Sequence, residues 1–78
     1  MGAIMNEEFE KIVGGRLRDL RMEKGLTQEQ VSAQMQVRGC DVTRSALAKI
    51  EVGQRHIYVD ELKVLREILG TTLEELLG

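Results

Sequence analysis

Apolar residues that recur every three or four positions constrain the fold of this chain more than any other feature of its sequence. Such spacing places one apolar stripe along a helix that completes a turn in about 3.6 residues. Proline, which would break such helices, is absent, and β-branched residues hardly alternate with polar ones. We therefore expect an all-α fold.

Glycines and capping threonines divide these stripes into five predicted helices. The first ends at Lys24-Gly25, a basic last turn followed by a residue that tolerates the left-handed conformation. Its internal Gly14-Gly15 pair costs about 1 kcal/mol for each glycine, so this helix either starts near Gly15 or packs closely against a neighbour there. The other four helices are predicted over residues 27–36, 43–51, 59–69 and 72–77, with a loop over residues 36–42. Both Thr27 and Thr72 open capping boxes.

Length and composition indicate the class of protein. At 78 residues the chain has room for one domain, residues 1–78, with residues 1–8 as a flexible arm or a tag remnant. No basic segment precedes an apolar one at its start, and no apolar run approaches the roughly 20 residues that cross a bilayer. A single cysteine cannot form an internal disulfide and is typical of a reducing compartment. We expect a cytoplasmic protein that does not enter a membrane.

The charges are unevenly distributed, although their formal sum is only −2. Residues 57–78 carry five carboxylates against Lys63 and Arg66. Residues 38–56 are basic instead, with His56 beside four cations and two carboxylates: Arg38, Arg44, Lys49 and Arg55 against Asp41 and Glu51. The middle segment can therefore meet a polyanion while the acidic end faces away.

Three segments in order carry a motif: GLTQEQV at residues 25–31, VTRSALAKIEVGQR at 42–55, and LKVL with LGTTLEEL at 62–76. Together with the RLRDLR lead-in at residues 16–21, they resemble the Cro/repressor helix-turn-helix family, also called XRE or lambda-repressor-like, over residues 15–77. The resemblance implies a compact five-helix domain whose helices 2 and 3 form the helix-turn-helix. Here the turn is about five residues longer, through residues 37–41. It is either a tolerated insertion, or a segment in which Arg38 contacts a phosphate or the loop meets a partner.

The same resemblance implies which residues meet DNA. The N-terminal part of the third helix would enter the major groove, where Arg44 can donate two hydrogen bonds to guanine and Ala46 can offer a methyl to thymine. The base-contacting set implied is Thr43, Arg44, Ser45, Ala46 and Lys49. The phosphate-contacting set expected is Thr27, Gln28, Gln54, Arg55 and His56 from the motif, together with Arg38 from the lengthened turn. The alternative is that Arg44 and Lys49 are only solvated charges, and that Thr27 only caps its helix.

Other residues are expected to support the fold and not to react. The resemblance implies a mostly buried ion pair between Arg21 and Glu51, whose loss would loosen the domain without changing sequence preference. Cys40 and His56 are the only residues of their types, so they provide neither a tetrahedral metal site nor a supported nucleophile–base pair. We expect no enzyme activity, no cofactor and no metal, and Cys40 should be replaceable by serine.

The resulting hypothesis is a transcriptional regulator, expected to be a repressor, that binds double-stranded DNA sequence-specifically. One recognition helix reads few base pairs, so a palindromic operator and a homodimer are expected. The dimer contacts expected are Leu73, Leu76 and Leu77 with Ile4, Met5 and Phe9, unless these residues only close the core. A chain this small leaves little room for a pocket, so no small-molecule ligand is expected. The alternative, which the acidic net charge favours, is a protein-interaction or antitoxin-like module with weak or no DNA binding.

Overall fold

The computed structural model describes residues 6–78 and contains five α-helices in that range, with no strand. They are α1 (Glu7–Glu23), α2 (Gln28–Val37), α3 (Arg44–Glu51), α4 (Val59–Leu69) and α5 (Leu73–Leu77). The predicted all-α, five-helix fold is confirmed. Residues 7 and 8 of the predicted arm already belong to α1, and the contacts expected of Ile4 and Met5 lie outside the described residues. Within residues 6–78, no helix is both long and apolar enough to cross a membrane.

Side-chain caps fix where four of the helices begin. Thr27 and Gln30 form the predicted capping box at α2, with hydrogen bonds of 3.0 Å and 2.8 Å. Thr43 accepts from the amide of Ala46 at the start of α3, and Thr72 accepts from that of Glu75 at α5. At α5 the Thr72 hydroxyl lies 3.4 Å from the Glu75 carboxylate, in place of the reciprocal amide bond of a complete box. Asn6 caps α1, a start that the sequence analysis did not predict.

The glycine pair inside α1 marks a close approach between two helices. Helix α1 runs unbroken through Gly14 and Gly15, so the alternative of close packing is the correct one. A Cβ atom on Gly14 would collide with the carbonyl oxygen of Ile50 in α3, whereas a Cβ on Gly15 would meet nothing within 4 Å. The first glycine therefore lets the α1 and α3 backbones meet, and the second lies in open space.

All five helices contribute to one buried apolar cluster, which sets the position of α3. Helix α3 packs against α1 and α2, α4 against α1 and α2, and α5 against α1. The buried apolar residues are Val13, Leu17, Val31, Met35, Cys40, Val42, Leu47, Ile50, Ile57, Leu62, Leu65, Leu69 and Leu76. Helix α3 is thus held on its inner side, and its outer side faces away from the core.

The lengthened turn between α2 and α3 is an ordered part of the fold. Helix α2 continues to Val37, one residue further than predicted, and Gly39 takes a positive φ of 89°. Cys40 and Val42 then enter the core. The carbonyl of Val42 accepts hydrogen bonds from the Ser32 hydroxyl at 2.6 Å and from the side-chain amide of Gln36 at 3.3 Å. These contacts tie the turn to α2, so the segment before α3 has a fixed path.

Candidate nucleic-acid interface

Helix α3 presents an exposed polar row and a buried row. Arg44, Ser45 and Lys49 are exposed, as is the cap residue Thr43, while Leu47, Ile50 and Glu51 are buried. Because successive residues of a helix are about 100° apart, the three exposed side chains share one arc. No carboxylate among residues 6–78 lies within ion-pair distance of Arg44 or Lys49. Two cations on α3 are therefore available to an external anion.

The two alanines of α3 differ in what they offer to a ligand. Ala46, the predicted thymine contact, packs against the apolar core. Ala48 is half-buried and lies between Arg44 and Lys49 on the outer arc. Its position makes Ala48 the better-placed methyl. The motif implied Ala46 instead, although the helix period places Ala48 on the outer arc.

Glu51 is the centre of a buried polar cluster, here called the Glu51 clamp, that joins α1, α2 and α3. Its carboxylate accepts from Nε and Nη2 of Arg21 at 2.7 Å and 3.0 Å. It also accepts from Nε2 of Gln28 at 2.9 Å, and Arg21 donates to the carbonyl of Leu26. The side chains of Arg21 and Glu51 are 12% and 2% exposed. The structure thus contains the ion pair that the motif implies, with Gln28 as a third member.

The N-terminus of α2 borders a cleft beside this clamp. Thr27, Gln28 and Arg44 line the cleft together with Arg18 of α1. Arg18 is exposed, and no carboxylate among the described residues lies within ion-pair distance of it. Free amides at a helix N-terminus and the side chains of Arg18 and Arg44 favour an anion here, against the one exposed carboxylate in the lining, that of Glu29. Arg18 was not among the predicted contacts, and the only signal for it in the sequence is its place one turn before Arg21.

The segment after α3 is held by carboxylates of its own protein. Arg55 forms a two-bond pair with Glu61 at 2.8 Å and 2.9 Å. These hydrogen bonds raise the pKa of Arg55 further above its usual value, against the opposing effect of partial burial. The side chain of Gln54 is exposed, and its backbone amide donates to the carbonyl of Lys49. Of the predicted phosphate contacts in this segment, Arg55 is therefore already neutralised by a neighbour.

Glu10 forms a second buried cluster, here called the Glu10 clamp, at the other end of α1. One carboxylate oxygen lies 2.6 Å from Nδ1 of His56, and the other accepts from the amide of Ile57 at 2.7 Å. The Glu10 side chain is 2% exposed, whereas that of His56 is 51% exposed. His56 is thus held on one ring nitrogen while much of its ring faces solvent.

Arg38 lies at the opposite end of α2 from Thr27 and Gln28. It follows the last residue of α2 and sits 3.8 Å from Glu67 of α4. Thr27 and Arg38 cap the two ends of α2, about 17 Å apart along the helix axis. The structure therefore separates Arg38 from Thr27 and Gln28, two other residues of the predicted phosphate set.

The features of a reactive site are not assembled in residues 6–78. Burial, followed by the charges of Asp60 and Glu61, raises the pKa of the Cys40 thiol, which keeps it protonated and weakly nucleophilic at neutral pH. Its sulfur faces the carbonyl of Asp60 at 3.9 Å, whereas His56 faces Glu10. No group of three or more His, Cys, Asp or Glu residues in this range is placed to hold a metal ion.

Comparisons with known proteins agree with this geometry. A helix-turn-helix family model, HTH_3, matches residues 17–76. The fold is similar to the crystal structure of the DNA-binding domain of BldD (TM-score 0.76, 30% identity, 95% of this chain and 100% of that one). It is also similar to the S. venezulae BldD DNA-binding domain (TM-score 0.73, 30% identity, 91% and 99%). A third similar structure is the restriction-modification controller protein C.AhdI from Aeromonas hydrophila (TM-score 0.77, 31% identity, 90% and 94%). No curated protein sequence matches the chain significantly.

Proposed function

Because this chain belongs to the helix-turn-helix family, we propose that it is a transcriptional regulator that binds double-stranded DNA sequence-specifically. The observation that carries the proposal is the exposed row of α3, whose two cations have no ion-pair partner among residues 6–78 while its other side is anchored in the core. The similar DNA-binding domains of BldD support the same function. A rigid helix with free donors suits the major groove, which accepts an α-helix and displays a distinct pattern for each base pair.

In the proposed complex, α3 enters the major groove and its outer row contacts the base edges. Arg44 donates to O6 and N7 of a guanine, and Lys49 reaches a second guanine or a phosphate. Thr43 and Ser45 add hydrogen bonds near the start of the helix. A methyl for thymine comes from Ala46, as the motif implies, or from Ala48, as its position on the outer arc favours.

The sugar–phosphate backbone is met on either side of α3. Thr27 and the α2 N-terminus hold one phosphate, with Arg18 added to this set because it lines the same cleft. Gln28 joins them while its Nε2 keeps the hydrogen bond to Glu51. Gln54 and the exposed edge of His56 face the other strand. Arg55 contributes less than the motif implies, and Arg38 less than the hypothesis for the lengthened turn suggested, because each has a carboxylate neighbour within the protein.

The regulator is proposed to act as a homodimer on a palindromic operator, and as a repressor. A single α3 reads too few base pairs to select a genomic site, whereas two copies would read half-sites about 34 Å apart. Repression follows if the operator overlaps a promoter, since a bound dimer then blocks it.

The test is selection of bound sites from a random DNA pool, followed by affinity measurements with Arg44→Ala. We expect this variant to lose about 1–3 kcal/mol of binding free energy and to relax the preference at one base position. Arg38→Ala is the matched control and should bind as the natural chain does. A uniform loss over all sequences in Arg44→Ala would make Arg44 a phosphate contact, and a loss in Arg38→Ala would return Arg38 to the phosphate set.

The second candidate, a protein-interaction module on the same fold, is favoured by the formal net charge of −2. Salt dependence separates the two. If each subunit neutralises two to four phosphates, the slope of log K against log salt should lie between about −2 and −4 per subunit. Absence of binding to any DNA at low salt would favour the protein partner instead.

A further inference from the structure

His56 lies in a polar pocket of about 400 Å³ between the start of α1 and the segment that follows α3. Glu7, Glu10, Arg55 and Tyr58 share this pocket with it. The expectation of little room for a pocket is therefore wrong. The chain contains no other histidine, so His56 is the one side chain whose ordinary titration falls between about pH 5 and pH 8.

The two ring nitrogens of His56 have different surroundings. Nδ1 lies 2.6 Å from a carboxylate oxygen of Glu10, whose side chain is 2% exposed. Nε2 has no hydrogen-bond partner within residues 6–78, and the His56 side chain is 51% exposed. The first nitrogen is thus held by the protein, and the second is available to a group outside it.

The Glu10 clamp determines where neutral His56 carries its proton. The backbone amide of Ile57 donates to the other Glu10 oxygen at 2.7 Å, and two N–H donors suit an ionised carboxylate, which can only accept. The ring proton therefore lies on Nδ1, and neutral His56 presents a lone pair at Nε2. A second proton is needed before Nε2 can donate, whether the first rests on the ring or on the carboxylate.

A phosphate can accept a hydrogen bond only from the doubly protonated ring. In the proposed complex the exposed edge of His56 faces the sugar–phosphate backbone. A phosphate oxygen is an acceptor, so it is repelled by the lone pair of a neutral Nε2 and held by the charged N–H of an imidazolium. A neutral ring with its proton on Nε2 could also donate, but the Glu10 clamp excludes that tautomer.

The other charges around His56 leave Glu10 as its principal partner. They are Glu7 and Lys11 of α1, Arg55 and Tyr58 of the same segment, and Glu61 of α4. Arg55 and Glu61 pair with each other, whereas Glu7 and Lys11 are exposed and opposite in sign. No residue of α3 lines the pocket within the described chain. The proton position on His56 is therefore governed by its hydrogen bond to Glu10.

We propose that Glu10 is a positioning residue for DNA binding, which lets His56 donate to a phosphate only as the imidazolium. The proposal rests on the proposed function in that a phosphate must meet His56, and it adds a dependence on pH. Binding selects the protonated ring, so each subunit takes up a proton and the affinity rises as the pH falls. By linkage, log K changes by at most about one per pH unit for each subunit.

The experiment measures the affinity of the full chain for the duplex obtained by site selection, at constant salt, from about pH 5.5 to about pH 8.5. We expect about tenfold weaker binding per subunit at the upper end, the value of one charge-assisted hydrogen bond. His56→Ala should remove this change and bind weakly at every pH.

Glu10→Gln tests the role of the carboxylate and keeps its size. The Gln side-chain oxygen can accept from the Ile57 amide while its NH2 group donates to Nδ1 of His56. The proton of neutral His56 then moves to Nε2, which can donate to phosphate without taking up another. This variant should lose the dependence on pH and bind more tightly than the natural chain at the upper end of the range.

Glu7→Gln is the matched control. It makes the same change on the same helix, at an exposed residue that lines the pocket without bonding to His56, and it should keep the dependence on pH. Nitrogen chemical shifts of the single histidine give a measurement without DNA. At high pH the ring proton should lie on Nδ1 in the natural chain and in Glu7→Gln, and on Nε2 in Glu10→Gln.

An affinity that does not change with pH, or that changes equally in the natural chain and Glu10→Gln, would overturn the proposal and leave the proposed function standing. So would neutral His56 with its proton on Nε2 in the natural chain, a result that requires no DNA. Absence of binding to any duplex at every pH would instead contradict the proposed function, and this proposal with it.

Discussion

The two ends of α1 are fastened to the α3 region by different means. At one end the Glu51 clamp pairs a carboxylate with Arg21, which is charged at any physiological pH. At the other end the Glu10 clamp pairs a carboxylate with a backbone amide and a half-exposed His56. Both carboxylates are 2% exposed. The two carboxylates are thus equally buried, and their partners make the difference.

That difference determines which polar group is left unpaired when the glutamate of each clamp is removed. Removing Glu51 leaves the guanidinium of Arg21, which is 12% exposed, without its counter-ion. Removing Glu10 leaves one buried amide without an acceptor, while the His56 ring can turn to water. The two clamps should therefore differ in strength, although each contains one buried glutamate.

The largest effect is expected from Glu51→Ala. This variant should lose about 3–5 kcal/mol of unfolding free energy, because it isolates a buried cation and frees Gln28. Urea denaturation followed by circular dichroism measures the loss. The double variant Arg21→Ala/Glu51→Ala should lose less than the sum of the two single variants. A Glu51→Ala variant as stable as the natural chain would contradict the role of this clamp.

A smaller loss is expected from Glu10→Ala. Leaving the Ile57 amide unpaired should lower the unfolding free energy by about 1–3 kcal/mol, as measured in the same urea experiment. His56→Ala is the control, and it should cost less than about 1 kcal/mol because the Glu10–Ile57 bond stays intact. If the two variants lost equal stability, the histidine and not the amide would be the essential partner.

Between the clamps, Gly14→Ala and Gly15→Ala should have opposite signs. The first places a methyl against the Ile50 carbonyl and should cost about 1–3 kcal/mol, as overpacking does. The second meets open space and should stabilise α1 by about 0.5–1 kcal/mol, the usual helix preference for alanine. Melting temperatures of the two variants provide the check. A stabilised Gly14→Ala would mean that α1 can move away from α3.

Much of the fold could be predicted because its signals are local. The helix period, the glycines and the capping threonines predicted all five helices. The predicted end of α2 differs from the observed end by one residue. The Gly14-Gly15 pair could not be interpreted from the sequence alone. Whether a helix passes through it depends on the backbone of Ile50, a neighbour that only the folded chain provides.

The contacts of the candidate site likewise fall into those that the sequence indicated and those that depend on the folded chain. Arg21 and Glu51 belong to a recognised motif, so their pairing could be expected although 30 residues separate them. Glu10 meets His56 and Ile57 across 46 and 47 residues without any motif, so no local pattern indicated that clamp. For Arg55, the motif implied a phosphate contact, but its pairing with Glu61 depends on the turn that brings α4 back to it.

The opposed charges of the molecule have a consequence for how it would approach DNA. Arg18, Arg44 and Lys49 lie around the proposed interface. Residues 57–78 carry five carboxylates against Lys63 and Arg66, so the charges are unevenly placed although their sum is only −2. At physiological salt a duplex acts on these charges only within about 8 Å. Inside that distance the field would turn the α3 side inward and push the α5 side out. Collisions in the wrong orientation would then separate, and those in the right orientation would last long enough for sequence to be read.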